Sequence, residues 1–230
     1  NIVKVLNNNI DRCNKKIALH HETLRKVADR ENLKLYGELI TANIYSIPKN
    51  IKSVSLMNYY TENQEYVDIP LNENLSPQEN AQKYFKRYSK AKSAYAFANQ
   101  QLQETLKELQ YFESVLHTLE NCNSVHEIED IRQELIEEGY LSARRRKGGK
   151  SQNTASTPHY YKSSDGFDIF VGKNNKQNDI LTLKTASSSD IWLHTRNIPG
   201  SHVIIRKLGR DIPDSTLMEG ALLAAYHSKA

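Results

Sequence analysis

Between Asp190 and Arg206 the chain reads DIWLHTRNIPGSHVIIR, which gathers the only tryptophan, two histidines and two arginines around Pro199-Gly200. Ile191 and Leu193 on one side, and Val203, Ile204 and Ile205 on the other, suit two β-strands. The proline-glycine pair between them is turn chemistry, so a β-hairpin or a strand-loop-strand is predicted. A period of two then sets Asp190, Trp192, His194 and Arg196 on one face. An indole, an imidazole and a guanidinium side by side can stack on a base and pair with a phosphate. His202 and Arg206 extend the same group, and Asp190 suits fixing a ring or pairing an arginine.

A second polar cluster, Gly172-Lys173-Asn174-Asn175-Lys176-Gln177-Asn178-Asp179, follows the strand-like Phe167–Val171 and precedes the apolar Ile180, Leu181 and Leu183. It reads as strand, glycine turn and helix start. Lys173, Asn174, Asn175, Gln177 and Asn178 there suit an anion or a ribose-phosphate edge, helped by free backbone N–H groups. Asn-rich helix caps are also common without any ligand.

These residues must be positioned by a small α+β domain over residues 159–230, with Tyr160 and Tyr161 in its first strand and a turn at Asp165-Gly166. A last helix is opened by Thr216 and Glu219 and lined by Leu217, Ala221, Leu222 and Ala225. Ahead of it, residues 144–158 lack apolar periodicity and read as a flexible linker. Arg144, Arg145, Arg146, Lys147 and Lys150 make it a basic arm able to release phosphate counterions, or simply a solvated run.

The longest regular signal is a heptad in which Ala81, Tyr84, Tyr88, Ala91, Tyr95, Ala98, Leu102, Thr105, Leu109, Phe112, Leu116 and Leu119 alternate by three and four. Such a helix is about 58 Å long at ~1.5 Å per residue and needs a partner along its seam. Val3, Leu6, Ile10, Cys13, Ile17, His20, Leu24 and Val27 keep the same rhythm, predicting an intramolecular antiparallel coiled coil and a monomeric chain. The rhythm breaks at Asp29–Asn32, where a kink or second helix is expected. The first arm is residues 1–50, and 51–75 form a β-hairpin at the tip. Ser76-Pro77-Gln78-Glu79 starts the second arm, 76–121, with a capping box. Ser124–Glu127 is another capping box, opening a short helical segment within 122–143 with Ile128, Ile131, Leu135 and Ile136 inward and Gly139 at its end. The fold class is therefore α+β: a long antiparallel helical coiled coil with a small β-hairpin insertion, then a small α+β domain.

With 230 residues, 38% apolar and 25% charged, the chain has the composition of a globular protein. No run of about 18 apolar residues predicts a membrane span. The first residues lack a signal-peptide core, and the chain reads as a fragment of a longer protein. Cys13 and Cys122 have neither metal-ligand spacing nor a disulfide framework, which points to a reducing compartment. Of the net charge of +4, the arm carries +5, residues 159–230 carry +2 and residues 1–143 carry −3. His194 and His202 have no third ligand at metal spacing. No Ser-His-Asp order, phosphate loop or close carboxylate pair marks a catalyst, so no enzyme and no cofactor are expected.

The GKNNKQND and DIWLHTRNIPGSHVII stretches, about ten residues apart, resemble the RNA-binding domain of the NFACT proteins. YGELITANIY at 36–45 and LSPQENAQKYFKRYSKAK at 75–92 are similar to the middle, coiled-coil region of the same family. The resemblance covers most of the chain, without the family's N-terminal domain and without the end of its RNA-binding domain. It implies a cytoplasmic ribosome quality control factor that binds the large ribosomal subunit and tRNA for C-terminal alanine tailing of stalled nascent chains. Gram-positive members are described as fibronectin/fibrinogen-binding, which implies an alternative: an adhesin module at the cell surface.

Overall fold

The structure is a computed structural model that describes residues 2–142, 156–196 and 198–229. The basic arm at Arg144–Lys150 lies outside these residues. The described chain is an α+β protein in two compact units, Lys15–Thr105 and Asn1–Asn14 with Leu106–Ala230. The helices α1 (Ile2–Lys26) and α3 (Pro77–Glu120) contribute to both. All twelve residues of the α3 heptad are buried or half-buried.

In the unit Lys15–Thr105, α2 (Arg30–Ala42) follows α1 after the predicted break. Two strands, β1 (Ser53–Met57) and β2 (Tyr66–Pro70), pair antiparallel with Leu56 opposite Val67. Their inner residues Leu56 and Ile69 join Leu39, Ile40, Ile47, Ala81 and Tyr84 in one core. Tyr84 donates its hydroxyl to the Pro70 carbonyl and meets Tyr36 edge-on at 5.4 Å. The entry to α3 is locked by the buried Asn80 amide, which accepts from Asn72 N–H at 2.8 Å and donates to the Asn72, Leu75 and Ser76 carbonyls. The capping box forms: Ser76 N–H donates to the Glu79 carboxylate at 2.7 Å and Glu79 N–H to Ser76 Oγ at 3.3 Å.

In the other unit, Ile2, Leu6 and Cys13 of α1 pack with Phe112 and Val115 of α3 and with Ile131 and Leu135 of α4 (Val125–Glu137). Ile2, and not Val3, takes the first seam position, because a step of four to Leu6 fits the opening turn of the helix and leaves Val3 exposed. Ser124 accepts from Glu127 N–H at 3.2 Å, as its capping box requires. Ile128 sits outside the core, since α4 presents Ile131, Glu134 and Leu135.

The C-terminal part is a four-stranded antiparallel sheet in the order β3 (His159–Lys162), β4 (Asp168–Val171), β6 (Val203–Ile205), β5 (Ile191–Leu193). One face, with Ile169, Val171, Val203 and Ile205, packs with Phe167 and with Ala224 of α6 (Asp214–Tyr226). The predicted inner face of α6 is overturned. Thr216, Gly220 and Ala224 are buried, while Leu217, Met218, Leu222, Ala221 and Ala225 are exposed. The helix is apolar on most sides, so hydrophobic pattern does not choose a face; close approach does. A Cβ on Gly220 would stand 2.7 Å from Ile205 Cδ1 and 2.9 Å from Leu193 Cδ1.

The segment after Gly172 forms α5 (Asn175–Ile180), which passes into a π-helical turn (Leu181–Thr185) closed by Ala186 N–H on the Leu181 carbonyl. Only Leu181 of its three apolar residues is buried, because the element is too short to present a stripe. Strands β5 and β6 pair as expected, Trp192 opposite Ile204. The connection is a loop and not a tight turn at Pro199-Gly200: Gly200 is drawn away to bridge Ser228, and Lys229 N–H donates to the Pro199 carbonyl at 2.9 Å.

Candidate nucleic-acid interface

Pairing in the sheet sorts side chains by face, since residues opposite one another on neighbouring strands point the same way. Tyr160, Phe170, Ile204 and Trp192 therefore form one row across the face opposite α6. Tyr160 and Phe170 rings lie 5.5 Å apart. Trp192 is 48% exposed and Tyr160 54% exposed, so the row ends in two accessible rings.

Next to this row is one of imidazoles. His194 stacks on Trp192 at 5.9 Å and 13°, and His202 stands edge-on to both at 5.2 Å. Burial pushes the pKa of each histidine down, and for His202 the charge of His194 adds to it. Thr182 donates its hydroxyl to the Asn178 carbonyl at 2.9 Å. His202 Nδ1 lies 2.7 Å from the Thr182 hydroxyl oxygen, and with the Thr182 proton on the Asn178 carbonyl it is the donor of that pair.

On the other side of the ring row, Arg206 donates to the Asp190 carboxylate at 3.0 Å, and its guanidinium lies 5.9 Å from the centre of the Phe170 ring. Burial opposes ionisation of Asp190, but the N–H groups of Ser187 and Lys207 and the Arg206 guanidinium outweigh it and hold the carboxyl below its ordinary range. Tyr160 donates to Asp168 at 2.7 Å. Arg196 is exposed in the loop after β5. Asp190, Trp192 and His194 thus share the predicted face, with Asp190 used as the anchor of Arg206.

The polar cluster after β4 is placed differently from the ring face. Asn174 caps α5 by accepting from Gln177 N–H at 2.9 Å. Gln177 accepts from Lys173 N–H and donates to Ser156. Asn175 accepts from Ser114 of α3 and donates to Glu134 of α4. Lys173 pairs with Glu127 at 3.0 Å. Asn178 reaches the ring face, where its side-chain oxygen accepts from His202 N–H at 3.0 Å, and Asp179 lies close enough for its charge to act on His202. Lys173 and Asn175 thus tie the sheet domain to α3 and α4, Asn174 and Gln177 fix the start of α5, and Asn178 holds the histidine loop.

Sequence reasoning missed Tyr160 and Phe170, although the period-two alternation of their strands carried the signal. It also missed a basic stripe outside this unit, on α3. From Asn80 to Gln103 there is no acidic residue, and Lys83, Lys86, Arg87, Lys90 and Lys92 are exposed. Counting charge over residues 1–143 as a block concealed it.

A family model described as NFACT N-terminal and middle domains matches residues 1–154, and one described as NFACT protein RNA binding domain matches residues 157–230. The chain is 43% identical over 220 residues to the Rqc2 homolog RqcH of Bacillus subtilis, covering 94% of this chain and 37% of that protein. It is 38% identical over 230 residues to the Rqc2 homolog RqcH of Streptococcus suis, covering 100% of this chain and 40% of the relative. The chain thus spans about two fifths of the length of the curated relatives it matches. A solved structure of the C-terminal part of the fibronectin/fibrinogen-binding protein from Streptococcus suis superposes with a TM-score of 0.73 at 33% identity, covering 99% of this chain and 76% of that one. By sequence over its whole length and by fold, the chain belongs to the NFACT family.

Proposed function

We propose that this chain is the middle and RNA-binding portion of a ribosome quality control factor, which contacts the large ribosomal subunit and tRNA in support of C-terminal alanine tailing. The observation that carries the reading is the ring row on the open sheet face, Tyr160, Phe170 and Trp192, flanked by the Trp192–His194–His202 cluster and by Arg206. Exposed rings stack on unpaired bases of any sequence, and neighbouring guanidinium groups track the backbone. The relatives named RqcH and the family's RNA binding domain supply the ribosomal context. The face has the chemistry of binding, and we assign it no catalytic role.

The test is binding of the 230-residue chain to purified large subunits, tRNA and fibronectin across a salt series. A Trp192→Ala, Arg196→Ala double variant is expected to weaken RNA binding at least about tenfold, since one stacked base contributes roughly 1–3 kcal/mol. Affinity is expected to fall steeply with salt. Salt-tolerant fibronectin binding without RNA binding would overturn the reading. It would favour the second one, an adhesin module, for which the Streptococcus suis structural relative is the specific support.

A further inference from the structure

A cavity of about 370 Å³ lies on the other side of the sheet domain from the ring row. Its walls come from the end of α3 and the start of α4 on one side, and from β3 and the end of α6 on the other. It is of the size of a small-ligand pocket, at the lower end of a range of roughly 300–1,000 Å³. Three histidines line it: His117, His159 and His227.

His159 and His227 stack at 5.2 Å and 28°. Tyr161 is next to them, its hydroxyl 3.2 Å from His227 Nε2, and Tyr226 meets His227 edge-on at 5.0 Å. The His159 ring makes no hydrogen bond to another described residue. Burial lowers the pKa of all three histidines, with Lys173 adding to it at His159 and His159 adding to it at His227. Neutral imidazoles each offer one donor and one acceptor at the ring edge, in the plane of a flat stacking face. The amides of Asn121 and Asn123 add more of both kinds.

The charges at this site cancel. Lys173 is held by Glu127 at 3.0 Å, both largely buried, so its ammonium group is not spare for a phosphate. Among the described residues no set of three or more His, Cys, Asp or Glu could hold a metal ion. What remains is a slot with a stacked ring wall, uncharged donors and acceptors, and an exposed tyrosine at its edge. That matches a flat, neutral, hydrogen-bonding heterocycle, and it does not match an anion or a cation.

We propose that this cleft binds a single nucleobase, stacked against the His159–His227 pair, as a subsite separate from the sheet face. The base arrives either on a free nucleotide or as an unstacked nucleotide of an RNA strand. Only the strand source rests on the RNA reading above.

The experiment follows the histidine ring proton signals of the 230-residue chain by NMR during titration with AMP, GMP, CMP and UMP, and then with short single-stranded RNA. Expected are saturable shifts of His117, His159 and His227. Mononucleotide affinity, read from the His117 shift, should be weakened at least about tenfold by His159→Ala with His227→Ala and kept in Trp192→Ala, as stacking platforms respond to ring removal. Unaltered His194 and His202 signals in the double variant verify that its sheet domain is folded. Shifts with mononucleotides support the cleft even if RNA fails to bind anywhere. Shifts with RNA alone support it with the strand as source. Shifts confined to His194 and His202, or no shift with any probe, overturn it.

Discussion

Gly172 occupies the point where the polar cluster and the ring face meet. A Cβ there would stand 2.1 Å from the Asn178 side-chain oxygen, the atom that accepts the His202 N–H. Gly172→Ala therefore expels that amide and leaves a partly buried N–H without its acceptor. An unsatisfied group of this kind costs roughly 1–3 kcal/mol. Urea unfolding is expected to show a loss of that size, accompanied by altered His202 ring signals; an unchanged midpoint would mean that the amide relocates freely. Glu134 illustrates the opposite economy. Burial raises its carboxyl pKa against the Asn175 bond, so this side chain holds α4 to α5 at some cost in desolvation.

At the scale of elements, α3 serves the core on one face and carries cations on another. Lys83, Arg87 and Lys90 recur at steps of four and three, so they share one exposed face of the helix. Cations in such a row act on a phosphate backbone by releasing its counterions, without reading sequence. Lys83→Gln, Arg87→Gln and Lys90→Gln together are expected to reduce the slope of log affinity against log salt by about 2 for single-stranded RNA, at ~0.7 per neutralised phosphate. Thermal stability should stay within about 1 kcal/mol, as exposed residues with little packing allow. An unchanged slope measured by fluorescence anisotropy would remove α3 from the RNA-binding surface. The short strands β5 and β6 work in the other way: with three residues each, they place Trp192 by pairing it with Ile204.

At the scale of the whole molecule, five histidines, His117, His159, His194, His202 and His227, have pKa values lowered first of all by burial. Between those lowered values and the ordinary 6.5, the unfolded chain binds more protons than the folded one, so stability rises with pH. The contribution is complete above pH 6.5 and is lost as pH falls through that value toward the folded pKa values. Glu127 and Asp190, whose pKa values are lowered, lose their contributions only further down, below the ordinary carboxylate values. Glu134, with a raised pKa, acts in the opposite sense, its cost appearing as pH rises from 4.5. The melting temperature is therefore expected to fall by roughly a few degrees from pH 7.5 to pH 5.5. The fall should be larger in Glu134→Gln, where the opposing carboxyl is gone. A flat profile in that variant would show that the histidines titrate alike in both states.

The heptads and both capping boxes were legible in the residues because each depends on neighbours three or four positions away, and local spacing alone specifies it. The alternation of Asp190, Trp192 and His194 was legible for the same reason, as was the hairpin between Ile51 and Leu71. Which face of α6 turns inward was not legible, because an almost wholly apolar helix has no contrast to read and only the approach of Ile205 and Leu193 to Gly220 selects it. Nor was the division of labour in GKNNKQND, where Lys173 and Asn175 find Glu127, Glu134 and Ser114 from helices more than forty positions away. The histidine cleft was hidden in the same way. His117, His159 and His227 have no spacing in common, and only the packing of α3 and α4 beside β3 and α6 brings their rings to one cavity.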